Sequence, residues 1–111
     1  MKIKVTAAGN AVILRVEGRM DAESCGAFDA ACLKAFEGGK RLIVADLESL
    51  TYISSAGIGI FAKISRHLKD SGGEILLASV HGLVRDVLEL TRVITVFRVF
   101  DSVEEALAGL N

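Results

Sequence analysis

The sequence predicts an α/β fold: one domain with a mixed, mostly parallel β-sheet and helices packed mainly on one face. Its 111 residues are a usual length for one domain, and 51% are hydrophobic against 24% charged, which favours a compact globule. Short β-branched runs alternate along the chain with segments of helical periodicity. That β-α-β order indicates parallel strands joined by crossover helices.

The first two elements are predicted to be antiparallel strands. Residues 2–6 alternate polar and apolar side chains, and residues 11–17 are rich in β-branched and aliphatic side chains. The pair Gly9-Asn10 between them is a typical hairpin turn. The chain therefore opens with a β-hairpin.

A first helix follows the hairpin. Residues 18–20 break the strand pattern, and Asp21 is placed to cap a helix that runs to about Phe36. Apolar side chains recur there at three- and four-residue steps: Cys25, Phe28, Cys32, Ala35 and Phe36.

The remaining elements repeat this alternation and end in a helix. In order they are a buried strand over residues 42–45, a helix ending near residue 70, a strand over 74–80, a helix over 83–91, a strand over 96–100, and a terminal helix that starts at a capping box over 102–105. The predicted order is β-β-α-β-α-β-α-β-α in a single domain over residues 1–111, without a linker.

Charge and hydropathy exclude several classes of function. With 13 basic and 14 acidic residues the net charge is −1, so no global field recruits nucleic acid. The apolar runs are far shorter than the roughly 18 to 20 residues of a membrane helix, and the N-terminus lacks the apolar core of a signal peptide. We therefore expect a cytoplasmic protein with no membrane insertion.

The two cysteines predict neither a disulfide nor a metal site. Cys25 and Cys32 are seven residues apart in one predicted helix, which separates them by about 10 Å. The paired Cys/His spacing of a metal site is absent. Both cysteines are expected to be buried apolar residues, and no cofactor is predicted.

The segment TYISSAGIGIFA, residues 51–62, is the candidate functional site. A hydrolase nucleophile turn requires glycine two residues before the serine, but Ile53 stands there before Ser55. The spacing of His67 and His81 places neither of them beside Ser55 as a base, and both are expected to be ordinary surface or boundary residues. No catalytic residue is predicted.

A dinucleotide-binding loop is a second interpretation. Gly57-Ile58-Gly59-Ile60-Phe61-Ala62 matches the G-x-G-x-x-A pattern and opens a helix. However, seven residues separate Asp46 from Ser54, whereas the fingerprint requires a tight turn directly after a strand, and the next strand does not end in an acidic residue. A nucleotide-binding module therefore stays only as an alternative.

A helix cap is the simplest interpretation of the two serines, but it does not explain the small residues that follow. A serine cap stabilises a helix by ~1 kcal/mol, while Gly57 and Gly59 each weaken a helix by roughly 1 kcal/mol relative to alanine. We interpret the glycines as clearance that lets another protein reach the hydroxyls.

Three segments of the chain resemble STAS domains, in particular the stand-alone bacterial anti-sigma factor antagonists. Residues 42–47 with 50–58 resemble the family signature, residues 18–22 resemble its turn before the first helix, and residues 100–107 resemble the start of its terminal helix. The resemblance spans nearly the whole chain and implies a STAS-like fold.

The resemblance implies a protein-binding module without catalytic activity. In such antagonists the unphosphorylated protein binds an anti-sigma factor that is also a serine kinase, and phosphorylation of one serine ends the binding. The family pattern is aspartate-serine-serine-glycine. Ser54 takes the position of the aspartate, Ser55 that of the phosphorylated serine, Ala56 that of the second serine and Gly57 that of the glycine.

The site predicted from this resemblance has one modified residue, Ser55, and a wider partner-binding surface. That surface comprises Asp21, Ser54, Ser55, Ala56, Gly57 and Gly59. Asp21 and Asp46 are expected on the same rim, where both would crowd a phosphate.

The expected partners are an anti-sigma factor with serine kinase activity and a serine phosphatase, with the chain itself a monomer or weak dimer. A STAS subunit of a stress-signalling scaffold or of a phospholipid ABC transporter is the main alternative.

Overall fold

The computed structural model describes residues 1–110, and in that range shows a six-stranded mixed sheet with four α-helices. The strand order is β1-β2-β3-β5-β6, and β4 pairs with β2 outside this path. In chain order the elements are β1 Lys2–Ala8, β2 Ala11–Met20, α1 Cys25–Glu37, β3 Leu42–Asp46, β4 Leu50–Ile53, α2 Ser55–Asp70, β5 Glu74–Ala78, α3 Gly82–Leu90, a 3₁₀ turn Val93–Val96, β6 Arg98–Phe100 and α4 Val103–Ala108.

The mixed, mostly parallel sheet is confirmed. The β1–β2 pair is antiparallel and closes at Ala8 and Ala11, where Gly9 has φ +63°, a conformation that two-residue hairpin turns use. The pairs β2–β3, β3–β5 and β5–β6 are all parallel. Crossover helices connect these parallel strands, as the alternating pattern indicates.

Two strand assignments were wrong around residue 18. Residues 18–20 do not end the second strand, because β2 continues to Met20 after a register shift between Gly18 and Arg19. Gly18 has φ +99°, a conformation that glycine adopts without strain, and it redirects the strand toward a new neighbour. That neighbour is β4, which was missed as an element and pairs in parallel with residues 18–20.

The first helix begins three residues later than expected. Asp21 caps a turn over residues 21–24 and not α1, because its Oδ1 accepts hydrogen bonds from the backbone N–H groups of Glu23 (3.1 Å) and Ser24 (3.0 Å). The helix itself starts at Cys25.

The strand expected over residues 96–100 is shorter than predicted. The segment Val93–Val96 forms a 3₁₀ turn that follows Arg92 at φ +64°, and only Arg98–Phe100 pairs with β5.

The helices pack mainly on one face, as predicted. The larger core lies between the sheet and α1, α2 and α3, while a smaller one lies under α4 on the other face. Successive side chains of β3 point to opposite faces of the sheet, so this strand contributes to both cores. Ile43 and Ala45 belong to the larger core, and Val44 belongs to the smaller one.

Aromatic rings join α1 and α2 in the larger core. Phe28 and Phe61 stack with their centroids 4.7 Å apart, and Phe97 meets Phe61 edge-on at 6.2 Å. The two cysteines are buried and unbridged, as predicted, and burial raises the pKa of the Cys32 thiol to about 12. That thiol is therefore protonated at neutral pH and acts as an apolar packing group.

Replacing the stacked ring tests this packing. We expect Phe28→Ala to lower the free energy of unfolding by about 3–5 kcal/mol, because the side chain is fully buried and its removal leaves a cavity. Leu33→Ala on the same helix is the control: Leu33 is 51% exposed, so its change should stay within about 0.5 kcal/mol. Urea denaturation followed by circular dichroism measures both values, and equal losses would contradict the assigned core.

Candidate functional site

The candidate site is the segment Ser54–Gly59, hereafter the serine turn, which links β4 to the first turns of α2. The pairing of β4 with the end of β2 fixes its position. The Ser54 N–H donates a hydrogen bond to Met20 O at 2.8 Å, directly after Met20 pairs with Ile53. The helix therefore starts at the edge where β2 and β4 end together.

Of the two serines, Ser54 is the N-cap of α2. Its backbone is extended, with φ −90° and ψ 170°, and its Oγ accepts a hydrogen bond from Gly57 N–H at 3.2 Å. Its carbonyl accepts the first helical bond, from Ile58 N–H at 3.0 Å. One of the unpaired donors of the first turn is thereby satisfied.

Ser55 is the first residue of α2 and is exposed. Among residues 1–110 its hydroxyl has no hydrogen-bond partner, and Ala56 beside it is also exposed. The N–H groups of a first helical turn and the helix dipole favour negative charge at this end. The turn thus presents an accessible hydroxyl in an environment that tolerates an anion.

The two glycines of the serine turn differ in their surroundings. Gly57 is buried, and a Cβ there would lie 2.9 Å from Ile53 Cγ1 and 3.0 Å from Met20 Cγ. Gly59 is exposed, and a Cβ there would meet no atom within 4 Å. Clearance for a partner therefore does not explain Gly57, which lets α2 pack against the ends of β2 and β4; Gly59 lies on the open surface.

Asp21 lies in the loop next to the serine turn, since Met20 O accepts the Ser54 N–H bond. Its carboxylate also accepts from the Ser24 hydroxyl at 2.9 Å. This hydroxyl, followed by the Ser24 and Glu23 backbone N–H groups, lowers the pKa of Asp21 below its ordinary value. The carboxylate is ionised and holds its own loop in place.

Two contributions to this site were missed at the sequence level. Ser24 orders the Asp21 loop, and the spacing Asp-x-x-Ser was the available signal because both residue types bond nearby backbone groups. The Arg19 guanidinium stacks on the Tyr52 ring at 4.2 Å where β2 meets β4. Because β4 was not predicted, nothing in the sequence indicated that Arg19 and Tyr52 would be neighbours.

Asp46 does not share the rim of the serine turn, so that expectation was wrong. It follows Val44 on the α4 face of the sheet, and it is 7% exposed in a groove that Val103 of α4 also lines. Successive side chains of a strand point to opposite faces, so the end of β3 directs Asp46 away from the three-helix side.

The histidines have contacts unrelated to Ser55. His67 packs against the Phe36 ring with centroids 4.4 Å apart, and His81 Nε2 donates to Glu48 O at 2.6 Å. Across residues 1–110 there is no group of three His, Cys, Asp or Glu side chains able to hold a metal ion. In the same range none of the helices is both long and apolar enough to cross a membrane.

Fold and site together define the class: a small mixed-sheet α/β domain that presents a capped helix start with an accessible serine. Residues 2–106 match the STAS domain family, and the chain belongs to that family.

Known proteins with similar sequences and structures include several anti-sigma factor antagonists. BtrV of Bordetella bronchiseptica, named as one, is 29% identical over 111 residues, which cover 100% of this chain and 96% of BtrV. A Thermotoga maritima structure so described has a TM-score of 0.90 at 23% identity, covering 96% of this chain and 92% of that one. Phosphorylated Bacillus SpoIIAA has a TM-score of 0.78 at 20% identity, covering 99% and 100%. The structural matches, below 25% identity, establish the shared fold.

Alanine substitutions at the two glycines test their different roles. Both gain about 1 kcal/mol of helix propensity, but only the Cβ at position 57 overpacks Ile53 and Met20. We expect Gly57→Ala to be less stable than Gly59→Ala by about 1–3 kcal/mol, measured by urea denaturation. Equal stability of the two variants would contradict the assigned packing of α2.

A carboxyl titration tests the Asp21 loop. NMR should give Asp21 a pKa below the ordinary value of an aspartate in the wild type, and Ser24→Ala should raise it toward that value, because the Ser24 hydroxyl is the largest cause of the shift. Because the folded-state pKa is below the unfolded one, this carboxylate stabilises the fold above its unfolded pKa, and the contribution is lost as pH falls through the folded pKa. An unchanged pKa in Ser24→Ala would contradict the assignment; Ser71→Ala, at the far end of α2, is the control.

Proposed function

We propose that this chain is an anti-sigma factor antagonist whose binding to its partner is switched by phosphorylation of Ser55. In its unphosphorylated form it sequesters an anti-sigma factor with serine kinase activity in the cytoplasm. Phosphorylation of Ser55 by that kinase releases the partner, and a serine phosphatase restores the binding form.

The observation that carries the proposal is the difference between the two neighbouring serines. Ser54 uses its hydroxyl to cap α2, whereas the exposed Ser55 hydroxyl is unpaired within residues 1–110. A kinase can therefore modify Ser55 without breaking the cap. Ser54 also keeps the N-cap hydrogen bond that an aspartate would provide, since both side chains are good caps.

The names of the relatives support the same role. BtrV and the Thermotoga maritima protein are described as anti-sigma factor antagonists. SpoIIAA, also so described, has been solved in unphosphorylated and phosphorylated forms, and this chain matches both with TM-scores of 0.75 and 0.78. A fold that persists in both states suits a switch read by the partner.

The position of Ser55 supports a switch that leaves the fold intact. A phosphate there would lie at the N-terminus of α2, a 16-residue helix, where the dipole and free N–H groups stabilise negative charge. Phosphorylation should therefore alter the surface while the helix stays folded.

The effect would be large at an interface. Phosphorylation adds roughly −1.5 to −2 charges where a neutral hydroxyl stood. If the partner presents a carboxylate about 4 Å away, the repulsion is about 4 kcal/mol at an effective dielectric constant near 20. That corresponds to about a thousandfold loss of affinity.

The shape of the serine turn supports access by a kinase. Three residues of the turn are small and exposed: Ser55, Ala56 and Gly59. The Ser55 hydroxyl therefore has few side-chain atoms around it that would obstruct a kinase. Asp21 lies beside this surface with its loop fixed by internal hydrogen bonds, and we assign it to the rim of the partner site.

A pull-down with purified variants tests the proposal. We expect Ser55→Ala to capture the anti-sigma kinase as the wild type does, because it keeps the surface neutral. Ser55→Asp should weaken capture about tenfold or more, because it introduces a charge at the interface. Binding is quantified by titrating the captured kinase, and equal capture by both variants would contradict the switch.

Ser54→Ala is the matched control. It should lower stability by about 0.5–2 kcal/mol through loss of the cap, yet bind the kinase at a temperature where it is folded. Mass spectrometry of protein from its native cells should find the phosphate on Ser55. Copurification of a transporter ATPase or a STAS scaffold instead of a kinase would favour the subunit role, and a thermal shift with millimolar nucleotide would favour the nucleotide-binding one.

A further inference from the structure

The first strand, β1, is an open edge of the sheet. It lies at one end of the strand order, and among residues 1–110 only β2 packs extensively on it. Its seven residues are mostly exposed, whereas the strand at the opposite edge, β6, has only three residues. Natural sheets commonly protect their edges with short strands or a covering element, because unpaired backbone groups bind other strands. Within the described range, β1 has neither protection.

The hairpin turn decides which backbone groups of β1 face the open edge. A two-residue turn is closed by hydrogen bonding between the residues that flank it, here Ala8 and Ala11. Along an antiparallel pair, hydrogen-bonded and non-bonded positions alternate. Every second residue from Ala8 therefore bonds to β2. The N–H and C=O groups of the residues between them point to the open edge: Ile3, Val5 and Ala7.

The same three residues carry the apolar side of β1. They pair in register with three residues of β2 that belong to the larger core: Val12, Leu14 and Val16. Their side chains therefore point to the helix side of the sheet. Val5 is nevertheless 60% exposed there. The open edge thus combines free backbone groups with an uncovered apolar side chain.

A groove of about 290 Å³, hereafter the edge groove, lies beside Val5. The rest of its lining comes from β2, from α1 and from the loop after α1: Val12, Ala31, Lys34, Ala35, Gly38 and Lys40. The lysine side chains have aliphatic stems that line apolar surface while their ammonium groups reach water. A strand added to β1 would cover both Val5 and the edge groove.

We propose that β1 pairs with the β1 strand of a second copy of this chain, in an antiparallel register centred on Val5. Such a contact is isologous and continues the sheet across a two-fold axis. Val5 lies opposite its own copy, and Ile3 lies opposite Ala7 of the other chain. The outward-facing backbone groups of both strands then pair with each other, and every cross-strand pair on the helix side is apolar.

The two lysines of β1 select this register. A register centred on Lys4 would place two ammonium groups directly opposite each other, which is destabilising. A register centred on Thr6 would leave the first two residues of β1 unpaired. In the register centred on Val5, both lysines lie opposite uncharged residues and the whole strand pairs. The charge of Lys4 is also balanced within its own chain, since its Nζ lies 3.6 Å from the Glu17 carboxylate.

The dimer leaves both serine turns free. The serine turn shares no residue with β1 or the edge groove. Because the paired β1 strands are antiparallel, the β2 strands of the two copies also run in opposite directions. Their carboxyl ends, where Ser54 N–H bonds to Met20 O, therefore lie at opposite ends of the joined sheet. The pairing does not depend on the function proposed for Ser55.

Sedimentation velocity of the full chain tests the proposal. We expect a reversible dimer whose fraction rises between about 10 µM and 1 mM, because a contact of one strand per copy belongs to the small, transient class of interfaces. Val5→Lys and Val5→Glu should each weaken self-association about tenfold or more, since each places like charges opposite each other at the two-fold axis. An equal mixture of these two variants should associate at least as well as the wild type, because opposite charges then face each other.

Leu90→Lys is the matched control. Leu90 is 84% exposed on α3, so this variant should associate as the wild type does. Ser55→Asp should also associate normally. Amide hydrogen exchange of the wild type, measured by NMR, checks the register without any substitution: the amides of Ile3, Val5 and Ala7 should exchange more slowly as the protein concentration rises.

Four results would each overturn the proposal. They are a chain that stays monomeric up to about 1 mM, Val5 variants that associate as the wild type does, a mixture of the two variants that does not associate, and exchange rates at Val5 that do not change with concentration. An extended segment of another protein that binds this edge of a monomeric chain would be the occupant in the first case.

Discussion

The hydrogen bond from Ser54 N–H to Met20 O is the constraint on which the site depends. It forms only because β2 bends at Gly18 and continues to Met20, where β4 pairs beside it. The bond ties the start of α2 to the end of the sheet, and the missing side chain of Gly57 lets the helix approach Ile53 and Met20. Without that close approach, α2 would start farther from the Asp21 loop.

Two adjacent hydroxyls at a helix start can have different roles because the helix geometry makes them inequivalent. An N-cap hydroxyl accepts a hydrogen bond from the backbone N–H two or three residues later. In Ser54 the donor of that bond is the Gly57 N–H. The next residue is helical, so its side chain projects outward and Ser55 remains exposed. One serine therefore caps the helix and the other stays exposed, and the proposed switch uses the exposed one.

Local signals predicted most of the fold, and the two errors around residue 18 share one cause. The hairpin, the parallel strands and the Ser54 cap follow from turn residues, periodicity and capping chemistry within a few positions. The continuation of β2 and the strand β4 depend on pairing between residues more than 30 positions apart, which a single sequence does not display.

Contacts between residues distant in sequence also explain the errors made for the site residues. The burial of Gly57 depends on Met20, which is distant in sequence, and the face assigned to Asp46 required knowing where β3 ends. Ser55 was predicted from its place in the family pattern, and its exposure at the start of α2 is a local property of the sequence.

The fold places two chemically different surfaces on opposite sides of one sheet. Asp46 points into the groove that Val103 also lines, while Leu47, the next residue, is 1% exposed in the larger core and donates its N–H to Ala78 O at 3.0 Å. Residues 47–53 then lead directly to the serine turn. Since packed, hydrogen-bonded segments resist small displacements, the burial of Leu47 and its hydrogen bond hold the start of this segment in place.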